Sequence, residues 1–512
     1  MRGRFVAICG LILILAAEPM RAIAEAPKFE QLDEDVRKAL QQWEVPGIAV
    51  SAIKDGETVL TRGFGVRKAG DSTPVDDRTL FAIASNTKQM TATLLATFVD
   101  ERRIRWDDRV QNYLPELQLA DSYASRELTI RDLLCHRNGL PDYGGDIMWW
   151  GATNDRREVL RRVRFVQPSS SFRSKWAYQN TMFTAAGEIA AKLSGESWDA
   201  TIQKRLFRRI GMNDTLTSTH QLAGQSNVAT PHMRVAGKVQ IIDWRNLDNG
   251  GPAASGISNA HDMGMWIRWL VNETKVDDKP IVNLTSLREL WAPQMVMTVS
   301  ERDRSLYGTH FRAYGLGWLI RDYHGFQVLC HGGWADGMLS FSVIVPERKA
   351  GAVVLTNLHN RDLSVPMAYR ILDECLGLPP KDWVSEYWKT LQEREQKQAD
   401  EFRQREAERH KDTKPSLPLT EFAGTYANDL YGPIDVKLEN DQLRLRLSAS
   451  PTMIADLKHW HHDTFRAIWL DPVAETTFVH FSLNEQGQVS EVKFPMSDFI
   501  DPSTYSYKRR GP

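Results

Sequence analysis

At 512 residues, 42% of them hydrophobic and 25% charged, the chain has room for about three domains and a substantial buried core. Its 64 Lys and Arg against 65 Asp and Glu leave a formal charge of -1. No net basic field exists to attract a phosphate backbone, so nucleic acid is not an expected partner.

The first stretch reads as a secretory signal peptide over residues 1–24. "MRGR" supplies positive charge, "FVAICGLILILAA" an apolar run, and "AIA" a small-residue cleavage site near Ala24. The mature protein is therefore expected in a periplasm or outside the cell. The apolar run is short of the roughly 20 residues that span a bilayer, and no later segment approaches that length, so no membrane contact is expected after cleavage. Cleavage leaves Cys135, Cys330 and Cys375, an odd number that permits at most one disulfide.

Residues 28–380 mix helical and strand signals and read as one α+β domain. "IAVSAIKDGETVLTRGFG" predicts two strands across an Asp-Gly turn, and "NTKQMTATLLATFVDERRI" a helix. Later, "FQVLCHGG", "MLSFSVIVP" and "AGAVVLTNL" predict three successive strands that can join the early pair in one antiparallel sheet. Residues 386–417 are dense in charge of both signs and read as a solvated helical linker, with Leu391 and Phe402 too few to form a coiled-coil seam. Residues 418–510 turn to period two. Ile434, Val436 and Leu438 alternate into Leu443, Leu445 and Leu447 about Asn440-Asp441, which predicts a hairpin in a small β sandwich or barrel.

The spacing Ser-x-x-Lys occurs at Ser51–Lys54, Ser85–Lys88 and Ser490–Lys493. The first and last lie in predicted strands, where residues three apart point to opposite faces. Ser85 and Lys88 lie at the start of a predicted helix, where they share a face and a hydroxyl can meet an amine. A serine hydroxyl is a poor nucleophile until such a base takes its proton, and the helix N-terminus favours developing negative charge. Two further patterns follow downstream: Tyr178-x-Asn180, with a second copy at Tyr426-x-Asn428, and His331-x-Gly333 on a predicted strand. A glycine beside a sheet edge admits a substrate backbone, and a strand N–H there can complete an oxyanion hole with the N–H of Ser85.

These three patterns, in this order, resemble the serine β-lactamase and penicillin-binding protein superfamily. The branch is that of class C β-lactamases, D-alanyl-D-alanine carboxypeptidases, D-aminopeptidases and related esterases. "LLCHRNGLPDY", "YGLGW" and "VVLTN" extend the likeness across residues 28–380. The resemblance implies an antiparallel sheet flanked by helices, with an all-helical subdomain. The last hundred residues are similar to the lipocalin-like β domain appended to some peptidases of that branch. That domain is expected either to shape access to the pocket or to mediate homo-oligomerisation.

By the same resemblance, Ser85 attacks and forms an acyl-enzyme, while Lys88 and Tyr178 share the proton relay. Asn180 bonds the substrate amide, His331 and Gly333 line the opposite wall, and the N–H of Trp334 joins that of Ser85 in the oxyanion hole. Trp149 and Trp150 fall among loops that wall the pocket and read either as apolar recognition or as packing. Where β-lactamases of this branch carry Lys-Thr-Gly, this chain has His331-Gly332-Gly333. Histidine is a less constant cation than lysine, which favours a small peptide, amide or ester substrate over a β-lactam.

Other features read as bland. "RREVLRRVRF" is a solvated helix face, and His459 with His461 form a surface histidine cluster without the further ligands a metal needs. No cofactor is expected. The Gly-x-Ser-x-Gly elbow is absent, which argues against an α/β-hydrolase.

Overall fold

The Asp-Gly turn and the alternating early segment form a tight hairpin of two strands, β1 (Gly47–Lys54) and β2 (Glu57–Gly65). Asp55 and Gly56 both adopt positive φ, at 53° and 82°, as this kind of two-residue turn requires. The computed structural model describes residues 29, 31–277, 279–359, 361–497 and 500–511, so the signal-peptide reading lies outside the described residues.

Six later strands complete an antiparallel sheet: β3 (Met295–Val296), β4 (Arg312–Tyr314), β5 (Leu319–Tyr323), β6 (Phe326–Ala335), β7 (Met338–Val345) and β8 (Ala350–Thr356). Their order across the sheet is β2-β1-β8-β7-β6-β5-β4-β3. The first strand of the sheet thus pairs with the last, Ile48 opposite Thr356. Alternation along β8 feeds two cores, with Val353 and Leu355 in one and Ala352 and Val354 in the other.

The second core lies under helices α1 (Leu32–Trp43) and α5 (Ser364–Leu376). The first holds α2 (Thr87–Asp100), α3 (Asn180–Ser194) and α4 (Ala260–Val271). Helix α2 is buried over almost its whole circumference, which is why its sequence is mostly apolar or small rather than striped, with Lys88 and Gln89 buried among the rest.

The charge-rich segment forms a long helix, α6 (Trp383–Ala407), anchored at its start by buried Trp383 and Tyr387, while Phe402 is exposed. Beyond it, eight antiparallel strands from Gly424–Asn428 to Asp501–Arg509 close into a barrel. Ile434, Val436 and Leu438 face Leu447, Leu445 and Leu443 across the turn, where Asn440 and Asp441 have positive φ.

The barrel docks on the hydrolase-like domain through hydrogen bonds as well as apolar contact. Thr153 N–H donates to Ala449 O (2.8 Å), and Arg162 Nη1 to Leu430 O (3.0 Å). Arg245 bridges Asp336, in the β6–β7 turn, and Asp471 of the barrel, at 2.5 Å each. Among the described residues Cys135, Cys330 and Cys375 are free and buried, and no helix is long and apolar enough to cross a membrane.

Candidate active site

Ser85 sits in a short 3-10 turn, Ala84–Asn86, that runs directly into α2. Within residues 81–90 it is the one side chain that is not buried. The turn is strained: Ala84 has φ 44°, a left-handed value that a residue with a Cβ holds only when its surroundings enforce it.

The enforcement comes from polar side chains buried around it. Asn86 Nδ2 donates to Ser340 Oγ (2.7 Å), which itself donates to Ile83 O (2.7 Å). Ser342 Oγ and Gln89 Nε2 both donate to Asn86 Oδ1 at 2.6 Å. Thr87 Oγ1 donates to Ala84 O (2.6 Å) and accepts from Gly256 N–H (3.0 Å). Every one of these groups is partnered, as burial demands.

Lys88, one helical turn from Ser85, is fully buried. Its Nζ lies 2.9 Å from Ser85 Oγ, 2.6 Å from Asn180 Oδ1 and 2.9 Å from Ala253 O. The set suits a neutral amine: two N–H groups reach two carbonyl oxygens, and the lone pair is left to face the serine hydroxyl. Burial lowers the lysine to about 7, against a smaller opposing pull from Asp146.

The Tyr178 hydroxyl is hydrogen bonded to Ser85, and burial holds its phenol well above 10, so it stays protonated. Its ring rests 4.4 Å from that of His136, whose Nδ1 accepts the Gln179 N–H (3.0 Å). Burial keeps His136 neutral. The "LLCHRNGLPDY" segment thereby fixes the irregular stretch that leads into α3, with Asp142 Oδ1 accepting Tyr178 N–H at 2.6 Å.

Asn180 has both ends of its amide engaged. Its Oδ1 accepts from Lys88, and its Nδ2 donates to Asp146 Oδ2 at 2.5 Å. The expectation that Asn180 greets the substrate is thus met by a residue already bridging two buried ionisable groups.

His331 is buried on β6, with Nδ1 2.7 Å from Gly332 O and Nε2 2.8 Å from the Tyr314 hydroxyl. A proton on Nδ1 satisfies the carbonyl and leaves Nε2 to accept from tyrosine, the neutral tautomer. Burial drives His331 to about 3. The wall that resembled a lysine site therefore carries no charge.

Gly333 marks the closest approach of β6 to the serine turn, since a Cβ there would lie 2.0 Å from Ile83 O and 2.2 Å from Ser340 Oγ. Trp334, half-buried on the same strand, packs its ring 4.6 Å from His359.

A cavity of about 900 Å³ opens over Ser85, Tyr178 and Asn180, with Ile500 and Glu475 of the barrel in its wall. Trp149 and Trp150 lie along it but are buried, each tied by its indole N–H: Trp149 to Asp146 Oδ1 (2.9 Å) and Trp150 to Asp336 Oδ1 (3.1 Å). They serve as packing.

The repeated motifs have other partners. Ser51 Oγ shares a hydrogen bond with Thr61 Oγ1 (3.2 Å), Lys493 pairs with Glu491 (2.9 Å), and Tyr426 OH donates to Phe422 O (2.8 Å). Two of the arginines in "RREVLRRVRF", Arg161 and Arg162, pair with Glu158 at its surface. The rings of His410, His461 and His462 cluster, yet no group fit to hold a metal occurs among the described residues.

Sequence reading missed Asp146, His136, Ala253 and Asp501. The first sits in "GGDIMWW", a loop with no periodicity to mark it.

Residues 32–375 match the family model described as Beta-lactamase. The chain belongs to the beta-lactamase family. Residues 408–508 match a domain of unknown function, DUF3471. Among curated proteins, the chain is 26% identical over 453 residues to the unguisins hydrolase ungD of Aspergillus violaceofuscus, covering 81% of this chain and 77% of that one. Among solved structures it is similar to the octameric penicillin-binding protein homologue of Pyrococcus abyssi, with TM-score 0.62 and 20% identity over 94% of this chain and all of that one. A D-stereospecific amidohydrolase of Streptomyces sp. matches with TM-score 0.51 and 21% identity, covering 63% of this chain and 94% of the other. At these identities the structures support the fold.

Proposed function

We propose that this family member is an exported serine hydrolase that works through an acyl-enzyme on Ser85, with D-amino-acid-containing peptides or small amides as substrates. The observation that carries the reading is Lys88: a buried amine 2.9 Å from the serine hydroxyl whose two other contacts are carbonyl oxygens, so that as a neutral amine it can turn its lone pair to the serine. Lys88 takes the Ser85 proton as the oxygen attacks the acyl carbon, and the N–H groups of Ser85 and Trp334 receive the oxyanion. Tyr178, held protonated, donates to the leaving amine; a water then enters, gives its proton back through the same groups, and releases the acid.

Neutral His331 supports amide or ester chemistry over β-lactams, because it offers no fixed cation to a β-lactam carboxylate. The relative named as an unguisins hydrolase agrees with hydrolysis. Esterase activity is the second reading, since the same serine and relay would serve an ester.

The test is the intact mass of the purified protein and of Ser85→Ala after fluorophosphonate and, separately, benzylpenicillin. An adduct lost in the variant is expected; no adduct with either reagent would overturn the reading in favour of a silent binding module. Turnover of simple esters with inert D-peptides would leave the serine and remove the peptidase assignment. Because Lys88 must be neutral to act, the labelling rate should rise with pH along a limb centred near 7. Self-association through the barrel belongs to the same reading, and sedimentation of the full chain as a monomer would remove it.

A further inference from the structure

The C-terminal barrel reaches the catalytic lysine. Asp146 Oδ2 accepts from Asn180 Nδ2 at 2.5 Å, and the other end of the same amide accepts from Lys88 Nζ at 2.6 Å, so one side chain separates a buried carboxylate from a buried amine. The residue before Asp146 is held by the barrel: Gly145 N–H donates to Asp501 Oδ2 at 2.9 Å. Asp501 is fully buried, and the hydroxyls of Tyr431 and Tyr505 also donate to it. Asp501 lies 356 positions from Gly145 in sequence, yet it is bonded to the residue next to Asp146.

We propose that Asp146 is a positioning residue that sets the charge of Lys88 through the Asn180 amide, and that the barrel supplies, in Asp501, a second carboxylate that governs Asp146. The inference rests on the reading of Lys88 as the base that activates Ser85. It gives the barrel a part in the chemistry.

The alternative is that Asp146 merely caps its loop, since Trp149 Nε1 also donates to it. Charge decides between them. Lys88 and Asp146 are faced by Tyr143, Tyr178, His136 and His331, and burial keeps the tyrosines protonated and the histidines neutral. Asp501 is faced by Tyr431, Tyr505 and Tyr507, all held protonated. Asp142 lies at the surface beside Tyr178, and Asp336, beyond Trp150, is paired with Arg245. Asp146 is left as the buried carboxylate that acts on the lysine, and Asp501 as the one that acts on Asp146.

Their effects have opposite signs. An ionised Asp146 stabilises the charged lysine, so removing it favours the neutral amine. Asp146 is raised to about 8, chiefly by burial, with like-charge repulsion from Asp501 a smaller part of that rise. Removing Asp501 therefore lets Asp146 ionise more readily and favours the charged lysine.

The experiment is the pH dependence of Ser85 labelling by a fluorophosphonate in the full chain, for wild type, Asp146→Asn and Asp501→Asn, with thermal melts alongside. The midpoint of the rising limb should fall by about one pH unit in Asp146→Asn and rise in Asp501→Asn. Midpoints that stay at the wild-type value in folded variants, or that move in the same direction, would overturn the proposal. Should Asp146→Asn fail to fold, the upward shift in Asp501→Asn decides alone. Absence of labelling in the wild type would instead sink the serine hydrolase reading, so the two failures are distinguishable.

Discussion

Replacing Lys88 by glutamine will slow fluorophosphonate labelling of Ser85 by about 10³-fold, within the range a positioned general base contributes. Glutamine keeps polar atoms near Asn180 and Ala253 but has no basic lone pair at neutral pH. Lys88→Arg will lose as much for a different reason. A guanidinium is always protonated, so it cannot accept the serine proton, and its five donors exceed the acceptors around Nζ. The loss should persist at pH 9, where wild-type labelling is at its plateau. Circular dichroism will confirm that the variants are folded, and labelling of Lys88→Gln within tenfold of wild type would show that Lys88 is not the base.

Gly333→Ala is the second large effect expected. The new Cβ would lie 2.0 Å from Ile83 O and 2.2 Å from Ser340 Oγ, and neither can yield cheaply. The first is backbone, and the second is the hydroxyl that holds it. Strand β6 must therefore move away from the Ser85 turn, which separates the N–H groups of Ser85 and Trp334 proposed to receive the oxyanion. Losing one such donor costs about 3 kcal/mol, or about 10²-fold in the rate constant, and overpacking removes a further 1–3 kcal/mol of stability. Gly332→Ala is the control, because its Cβ would meet nothing closer than 3.7 Å. Equal activity in the two variants would show that the approach of β6 at Gly333 is not what shapes the site.

The sequence carried the fold and the contact of Ser85 with Lys88 because both are written in local spacing. Ser85 and Lys88 are one helical turn apart, and the tight turns at Asp55-Gly56 and Asn440-Asp441 declare their hairpins. The Trp-Trp pair was ambiguous because an indole serves packing and recognition equally. Their indole N–H groups are taken by Asp146, three residues before Trp149, and by Asp336, 186 residues beyond Trp150, a partner the local sequence does not show. His331 read as a titrating cation because burial and the Tyr314 hydroxyl are invisible in "CHGGW". Asp146 and Asp501 left no trace at all: each is one acidic residue without a motif around it, and their relation exists only once the barrel is docked.

The pairing of β1 with β8 has a consequence in time. Gly47 N–H donates to Asn357 Oδ1 at 2.7 Å, across a separation of 310 residues, so the sheet that supports Ser85 cannot finish until almost the whole domain has been synthesised. Such non-local closure is the slow kind, because chain entropy is lost before the contact rewards it. The barrel strands instead pair each with the next, and only the first and last must find one another. Once its strands are available the barrel should close quickly and the sheet slowly, with Asp501 reaching Gly145 only after both. Until that docking step the lysine lacks its final electrostatic setting, so the order of assembly delays the competent nucleophile to the end of folding.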